Sequence, residues 1–366
     1  MSDSLFYLIA LTSVPQIGPV QARLMLQHFS PAEIFRAKRS DLQRIEGIGN
    51  ERARAIQQFN DFSLAEVELR FLETHQVQAI PYDDPRFPQR LLHCYDPPIL
   101  LYYQGTASLN ASRMLAIIGT RQPTEQGSCL TEQIVEELTK QDVMIVSGLA
   151  QGIDAIAHRQ TLKMQGQTIG VLAHGLDRIY PNHHRKLAQA MRSSGGLLTE
   201  FKHRTEPDRY HFPARNRIVA GMTDATLVIE SGEKGGSLIT ANLANQYNRD
   251  VFAVPGRVND PKSIGCLQLI RNHQASVFTS SHDLLTALGW LDEKKPVAIQ
   301  AMTLFPELND EEKKIIDLLK NGESMQQDVI GWKTGLPASK LSGRLLELEM
   351  KGVVVSLPGK QFRLRT

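Results

Sequence analysis

The sequence predicts an α/β protein: a doubly wound, mostly parallel sheet, with a small helical segment before it and a winged helix after it. Three observations predict this. Between Met114 and Gly256 one unit recurs, a short apolar run, a Gly-rich or polar turn, then an amphipathic helix. Before it, residues 1–70 read as helical throughout. After it, residues 305–366 read as helix, helix, Thr-Gly turn, helix and hairpin.

The apolar runs of the repeat are Met114–Ile118, 143–146, 168–172, 197–199, 226–229 and 251–254. Strands that alternate with helices form a parallel sheet covered on both faces. Right-handed crossovers bring every strand-to-helix turn to the carboxyl edge of that sheet, where such folds bind ligands. The chemistry is therefore expected on the turns. Ile99–Tyr103 is expected to add a further strand within the Pro- and Asp-rich connection of residues 71–112, and 277–279 to supply a last one. Asp292-Glu-Lys-Lys-Pro opens an expected linker.

In the first 70 residues, Val14-Pro-Gln-Ile-Gly-Pro-Val-Gln-Ala-Arg-Leu and Ile45-Glu-Gly-Ile-Gly-Asn-Glu-Arg-Ala-Arg-Ala-Ile each set a Gly-bearing hairpin before a helix. This is similar to the helix-hairpin-helix pattern, whose helix-start amides grip phosphate. A sterile-alpha-motif-like bundle gives the same pattern. At the other end, Asp310–Lys320, Met325–Ile330 and Pro337–Met350 are expected helices, and 353–357 with 361–364 an expected hairpin. The third helix carries Lys340 and Arg344 beside Glu347 and Glu349, too little positive charge for strong duplex binding, so a protein contact is at least as good a reading.

Composition excludes several classes. Hydrophobic residues make up 42% of the 366, charged residues 22%, and the formal charge is +2, which describes an ordinary globular chain and not a wholly basic, histone-like one. No apolar run reaches the roughly 20 residues that span a bilayer, and the N-terminus lacks a basic leader, so a cytoplasmic protein with no membrane partner is expected. Three widely spaced cysteines, Cys94, Cys129 and Cys266, suit neither a disulfide framework nor a zinc site. The histidines show no metal-ligand spacing, Asp154 and His158 are expected to pair with each other or with the loop, and no cofactor is expected.

Four turns carry candidate anion-binding groups. Gly119-Thr-Arg121 ends a strand, and Arg121 can hold a phosphate through two parallel donors. Ser147-Gly148-Leu-Ala-Gln-Gly152 places glycines where backbone amides meet a ligand at a helix start. Arg215, Asn216 and Arg217 lie near the start of another helix, where cations oppose the helix dipole unless an anion or a carboxylate such as Glu200 or Asp224 answers them. Lys234, Gly235, Gly236 and Ser237 combine an ammonium, amides and a hydroxyl ahead of a helix. No G-x-G-x-x-G, GK[ST], G-x-S-x-G or H-E-x-x-H occurs. Many phosphate holders and no nucleophile with its base point to polyanion binding without turnover. Tyr180, Tyr210 and Phe212 fall near the same edge and suit stacking on bases.

These motifs, from Gly119-Thr-Arg121 through Ser147-Gly-Leu-Ala-x-Gly-Ile-Asp154-x-x-x-His158, Gly175-Leu-Asp-x-x-Tyr180-Pro, Phe212-Pro-x-Arg-Asn-Arg-Ile218-x-Ala-Gly221 and Gly236-Ser-Leu-x-Thr-Ala241 to Val251-Phe-Ala-Val-Pro-Gly256, closely resemble the DNA-processing protein DprA (Smf) family. The resemblance covers nearly the whole chain. It implies an extended Rossmann-like core that binds single-stranded DNA and forms a homodimer. It also implies protection of incoming strands during natural transformation and loading of RecA onto them in the presence of single-strand-binding protein, without catalysis. Carried onto this sequence, it implies strand contacts by Arg121, Ser147, Gly148, Arg215, Arg217, Lys234 and the 235–237 amides. Two departures stand out: Gly235 where the family commonly has Ser, and Leu267 after Gly265-Cys266 where it commonly has Asn. The core also resembles lysine-decarboxylase-like phosphoribohydrolases, whose P-G-G-x-G-T-x-x-E supplies a working Glu. Here no Glu follows Gly235-Gly236-Ser237.

Overall fold

The computed structural model describes residues 3–291, 309–320, 324–357 and 359–364. The expected linker at 292–296 lies outside them, as does Pro358 of the hairpin turn. The chain divides into two compact units, Met1–Trp290 and Leu291–Thr366.

The first unit is built on a nine-stranded sheet: β1 (Gln78–Pro81), β2 (Leu100–Gly105), β3 (Met114–Ile118), β4 (Met144–Ser147), β5 (Thr168–Val171), β6 (Gly195–Thr199), β7 (Ala225–Val228), β8 (Asp250–Ala253) and β9 (Ser276–Val277). The strand order is β1-β2-β6-β5-β4-β3-β7-β8-β9. All pairings from β6 to β9 are parallel, while β2 adds antiparallel to β6 and β1 antiparallel to β2. Strand β3 therefore stands between β4 and β7, and the order reverses there, which makes its carboxyl end the topological switch point. Strands β3 to β7 are buried along their whole length, as sheets covered on both faces require. Strand β1 falls in a segment whose Pro and Asp content hides it from a propensity reading. It ends at Pro81, which an edge strand tolerates.

Crossover helices cover both faces: α8 (Glu125–Thr139), α9 (Ile153–Lys163), α10 (Arg185–Ser194), α11 (His211–Gly221), α12 (Gly236–Gln246) and α13 (Ile264–Arg271), with the short α7 (Gln89–Leu92) before them and α14 (Ser281–Ala287) after the last strand. The start of α8 is fixed by Thr124, whose Oγ1 accepts from Gly127 N at 2.9 Å. Six helices precede the sheet: α1 (Asp3–Leu11), α2 (Pro19–Leu26), α3 (Pro31–Arg36), α4 (Arg39–Gln43), α5 (Asn50–Gln58) and α6 (Ser63–Thr74). Gly18 and Gly49 cap α2 and α5 as the two hairpins require, and Gly47, at φ +83°, makes the left-handed turn of the second. These helices share a continuous core with the sheet: Leu8, Met25 and Ile56 belong to one buried cluster with Tyr102, Leu172 and Leu197.

The second unit comprises α15 (Asp310–Leu319), β10 (Met325–Gln326), α16 (Gln327–Thr334), α17 (Ala338–Met350), β11 (Val354–Leu357) and β12 (Gln361–Leu364). Residues 325–330 divide between a two-residue strand and the start of α16, because Met325 and Gln326 pair with Phe362 and Gln361. Gly335, at φ +70°, ends α16 in the left-handed region. Ile315, Leu319, Ile330, Leu341, Leu345, Leu348 and Val354 form the core of the unit.

Candidate nucleic-acid interface

A cleft of about 390 Å³ opens at the carboxyl ends of β3 and β7. Arg121, Gly148, Arg215, Asn216, Gly235, Gly236 and Ser237 all line it, so four turns spread over a span of more than 100 residues converge at the switch point. Ser147, Gly152, Arg217 and Lys234 do not line it.

Two glycines make room for protein atoms. A Cβ on Gly152 would collide with the Thr120–Arg121 backbone, and Gly152 has φ +86°, so this residue lets the Arg121 turn settle onto the start of α9. Ile153 N then donates to Thr120 O at 3.2 Å. A Cβ on Gly148 would stand 2.6 Å from the Arg215 guanidinium carbon.

Arg215 and Arg217 are two residues apart on α11, so they point about 200° away from each other. Arg215, 5% exposed, donates to Gly148 O and Val171 O. Burial pulls its guanidinium down to about 10, against the attraction of Asp154. Asp154 accepts from Gly148 N (3.1 Å) and Ala150 N (3.3 Å), and burial raises its pKa. Arg215 is thus a wall of the cleft whose charge faces Asp154 and whose hydrogen bonds hold the Gly148 turn. Arg217 turns to the other side and pairs with Glu200, with Asp96 4.0 Å away. Burial likewise pushes the Glu200 carboxyl up. Asp224 is taken by Arg90 at 2.5 Å. Ser147 is fully buried and its Oγ donates to Ile117 O at 2.6 Å. Asp154 pairs with the loop and not with His158, whose Nδ1 meets Thr168 Oγ1 at 2.6 Å. Burial lowers His158 to about 3.

The cations left for a ligand are Arg121 and Arg209. Among the described residues neither has a carboxylate within ion-pair distance. The Arg121 guanidinium lies 5.4 Å from the Phe212 ring centre and Arg209 lies 4.6 Å from that of Tyr210. Arg209 lines the cleft and was not among the sequence candidates. A signal existed: in Asp208-Arg209-Tyr210 the aspartate Oδ1 accepts Tyr210 N at 2.8 Å, an Asx turn that aims the two side chains ahead of α11. Phe212 and Tyr180 stand 6.2 Å apart beside a smaller hollow that continues the cleft past Gln151 and His174. Tyr180 is 49% and Tyr210 68% exposed.

The opposite wall is the start of α12. Its first amides have no acceptor within the helix, and Gly236 has open space at its Cβ position. Ser237 Oγ donates to Ser231 Oγ at 2.8 Å. A Cβ on Gly235 would collide with Ser231 Oγ, so the glycine that departs from the family pattern goes together with a serine four residues earlier that fills the space. Lys234 is exposed in the turn outside the cleft. Glu230, at the end of β7, is occupied inside the protein, accepting from Thr124 N (2.9 Å) and from Thr124 Oγ1.

Arginines, free helix-start amides and exposed rings around one cleft can hold an anionic, ring-bearing chain. Fold and site together define a doubly wound α/β protein with an anion-binding cleft at its switch point. The family model of DNA recombination-mediator protein A matches residues 78–289, a DprA winged helix domain matches 301–360, and a SAM-like helix-hairpin-helix tandem matches 8–59. Protein Smf of Synechocystis is 36% identical over 98% of both chains, and Protein Smf of Escherichia coli is 35% identical over 85% of this chain and 84% of its own. The X-ray structure of DNA processing protein A from Streptococcus pneumoniae superposes with a TM-score of 0.67 at 30% identity, covering 78% of this chain and 98% of that one. DNA processing protein A from Helicobacter pylori, studied for its single-stranded DNA binding mode, superposes at 0.53 with 32% identity, covering 58% and 95%. The chain belongs to the DNA recombination-mediator protein A (DprA, Smf) family. Among the described residues, no helix is long and apolar enough to cross a membrane.

Proposed function

We propose that this protein binds single-stranded DNA in the switch-point cleft, protects incoming strands and loads RecA onto them during natural transformation, without catalysis and in the cytoplasm. The observation that carries the binding step is the convergence of Arg121, Arg209 and the α12 amides on a cleft flanked by exposed Tyr180 and Tyr210 and half-buried Phe212. Phosphates sit against the arginines and amides while bases stack on the rings, which tracks a strand without reading its sequence. The Helicobacter pylori relative, described by its single-stranded DNA binding mode, supports the same ligand here. RecA and single-strand-binding protein are the partners that family membership suggests. A homodimer would present two clefts and raise avidity for long strands.

The test is binding of arbitrary single-stranded and duplex oligonucleotides across a salt series, with wild type and Arg121→Ala. Expected are preference for single strands, affinity that falls with salt, and weaker binding by the variant. Equal binding by Arg121→Ala would move the site away from the cleft. No single-strand preference, together with hydrolysis of a nucleoside monophosphate, would replace this reading with a phosphoribohydrolase.

A further inference from the structure

A second basic hollow lies outside the cleft. It measures about 300 Å³ and forms between α10 and the loop that leads to this helix from β5. It shares no lining residue with the cleft or with the smaller hollow that continues the cleft. The loop is the partition between them. Residues 176–179 line the second hollow, while Tyr180 and Pro181 line the side next to the cleft.

Helix α10 carries Arg185, Lys186 and Arg192 and no acid. Two of these cations stand in its first turn, where the helix dipole disfavours positive charge. Arg185 and Arg192 are seven residues apart, so they project within about 20° of each other and stand about 10.5 Å apart along the axis. Gln189 lies between them, and all three line the hollow. At the rim, Arg178 is already answered by Asp177 at 3.2 Å and Glu206 at 2.9 Å. Among the described residues, Arg185 and Arg192 have no carboxylate within ion-pair distance. The Arg192 Nε is buried without a hydrogen-bond partner, a condition that few buried polar groups keep. Burial also lowers the pKa of that guanidinium.

The rest of the lining is aliphatic: Leu176, Ile179 and Ala188, all buried. Guanidinium groups bind carboxylates through paired donors, and two of them here are unanswered. Three residues of extended chain, at about 3.3 Å each, span the distance between Arg185 and Arg192. An aliphatic side chain between two such acids meets an aliphatic wall. A DNA strand fits less well, because no aromatic ring lines the hollow for a base to stack on.

We propose that this hollow binds an acidic peptide segment of a partner protein, with carboxylates three residues apart on Arg185 and Arg192 and an aliphatic side chain between them. The partner then sits against the back of the loop that carries Tyr180, beside whatever the cleft holds.

The probe is a short fluorescein-labelled peptide in which two aspartates flank a pair of leucines, read by fluorescence anisotropy against the full chain. The same peptide with asparagines in place of the aspartates is the control. Expected are saturable binding of the acidic peptide and binding about tenfold weaker for the control, for Arg185→Gln and for Arg192→Gln. Arg185 is exposed, so its variant keeps the test alive if Arg192→Gln fails to fold. Both variants should bind a short single-stranded oligonucleotide as wild type does, and the peptide should bind equally well with that oligonucleotide saturating. No binding of the acidic peptide by wild type, or unchanged binding by Arg185→Gln, would overturn the proposal. Displacement of the peptide by the oligonucleotide would also overturn it and move the peptide to the cleft. Loss of oligonucleotide binding by the variants with peptide binding retained would overturn it in favour of the strand. Failure of strand binding by wild type would remove the function proposed for the cleft and leave the peptide measurement standing.

Discussion

Two places in this chain have the topology of a nucleic-acid site, the carboxyl edge of the sheet and the third helix of the winged unit, and they use their cations in opposite ways. At the sheet edge, carboxylates answer the arginines that support the cleft, Arg215 through Asp154 and Arg217 through Glu200, while Arg121 and Arg209 lie against aromatic rings. On α17 both cations are tied to Glu311 or Glu347, and the outward face carries Leu346 and Met350. The difference teaches that topology offers a place for a ligand and the local charge balance decides whether an anion can use it.

The largest effect should come from the supporting pairs. Arg217→Met leaves the Glu200 carboxylate without its cation in a dry setting, and should cost about 3–5 kcal/mol of stability in urea unfolding. A loss below 1 kcal/mol would mean that Arg217 is a ligand group and not a support, and would blur the comparison. Next comes the histidine beneath the edge. Burial depresses His158 to about 3, so the unfolded chain takes up its proton near 6.5 and the folded chain does not. Its contribution is complete above that pH and is lost as pH falls from 6.5 toward 3. At pH 5 this amounts to roughly 2 kcal/mol. His158→Gln should therefore flatten the unfolding midpoint between pH 7 and 5, and a profile as steep as that of wild type would refute the assignment.

Arg121→Ala should weaken single-strand affinity about tenfold and make the salt slope shallower by about 0.7, while leaving stability within 0.5 kcal/mol. A stability loss comparable to that of Arg217→Met would put Arg121 among the supports. The smallest effect belongs to the winged unit: Lys340→Ala should change oligonucleotide affinity by less than about twofold, because its charge is already answered by Glu311. A fivefold loss would erase the contrast between the two faces.

Much of this was legible beforehand. The six apolar runs matched six strands within a residue or two, and the glycine hairpins, the third helix and the wing fell where their turn residues put them. Strand β1 was not, since an edge strand in a Pro- and Asp-rich segment carries no period to read. Of the site, the four converging turns were readable, but the partition among their residues was less so. Part of it could have been found by counting: Arg215 and Arg217 at i and i+2 cannot face one ligand. Arg209 had only an Asx turn to announce it.

By itself, the sequence determined the alternation of strands and helices and the gathering of glycines and cations on the turns, because apolar period and backbone freedom act within a few residues of chain. Only the tertiary structure decided which cations are free. Their answering groups come from afar, Glu200 and Asp96 for Arg217, Val171 and Gly148 for Arg215, Glu311 for Lys340. Whether a charge is spent inside the protein or left for a ligand depends on desolvation and partners that no local pattern records.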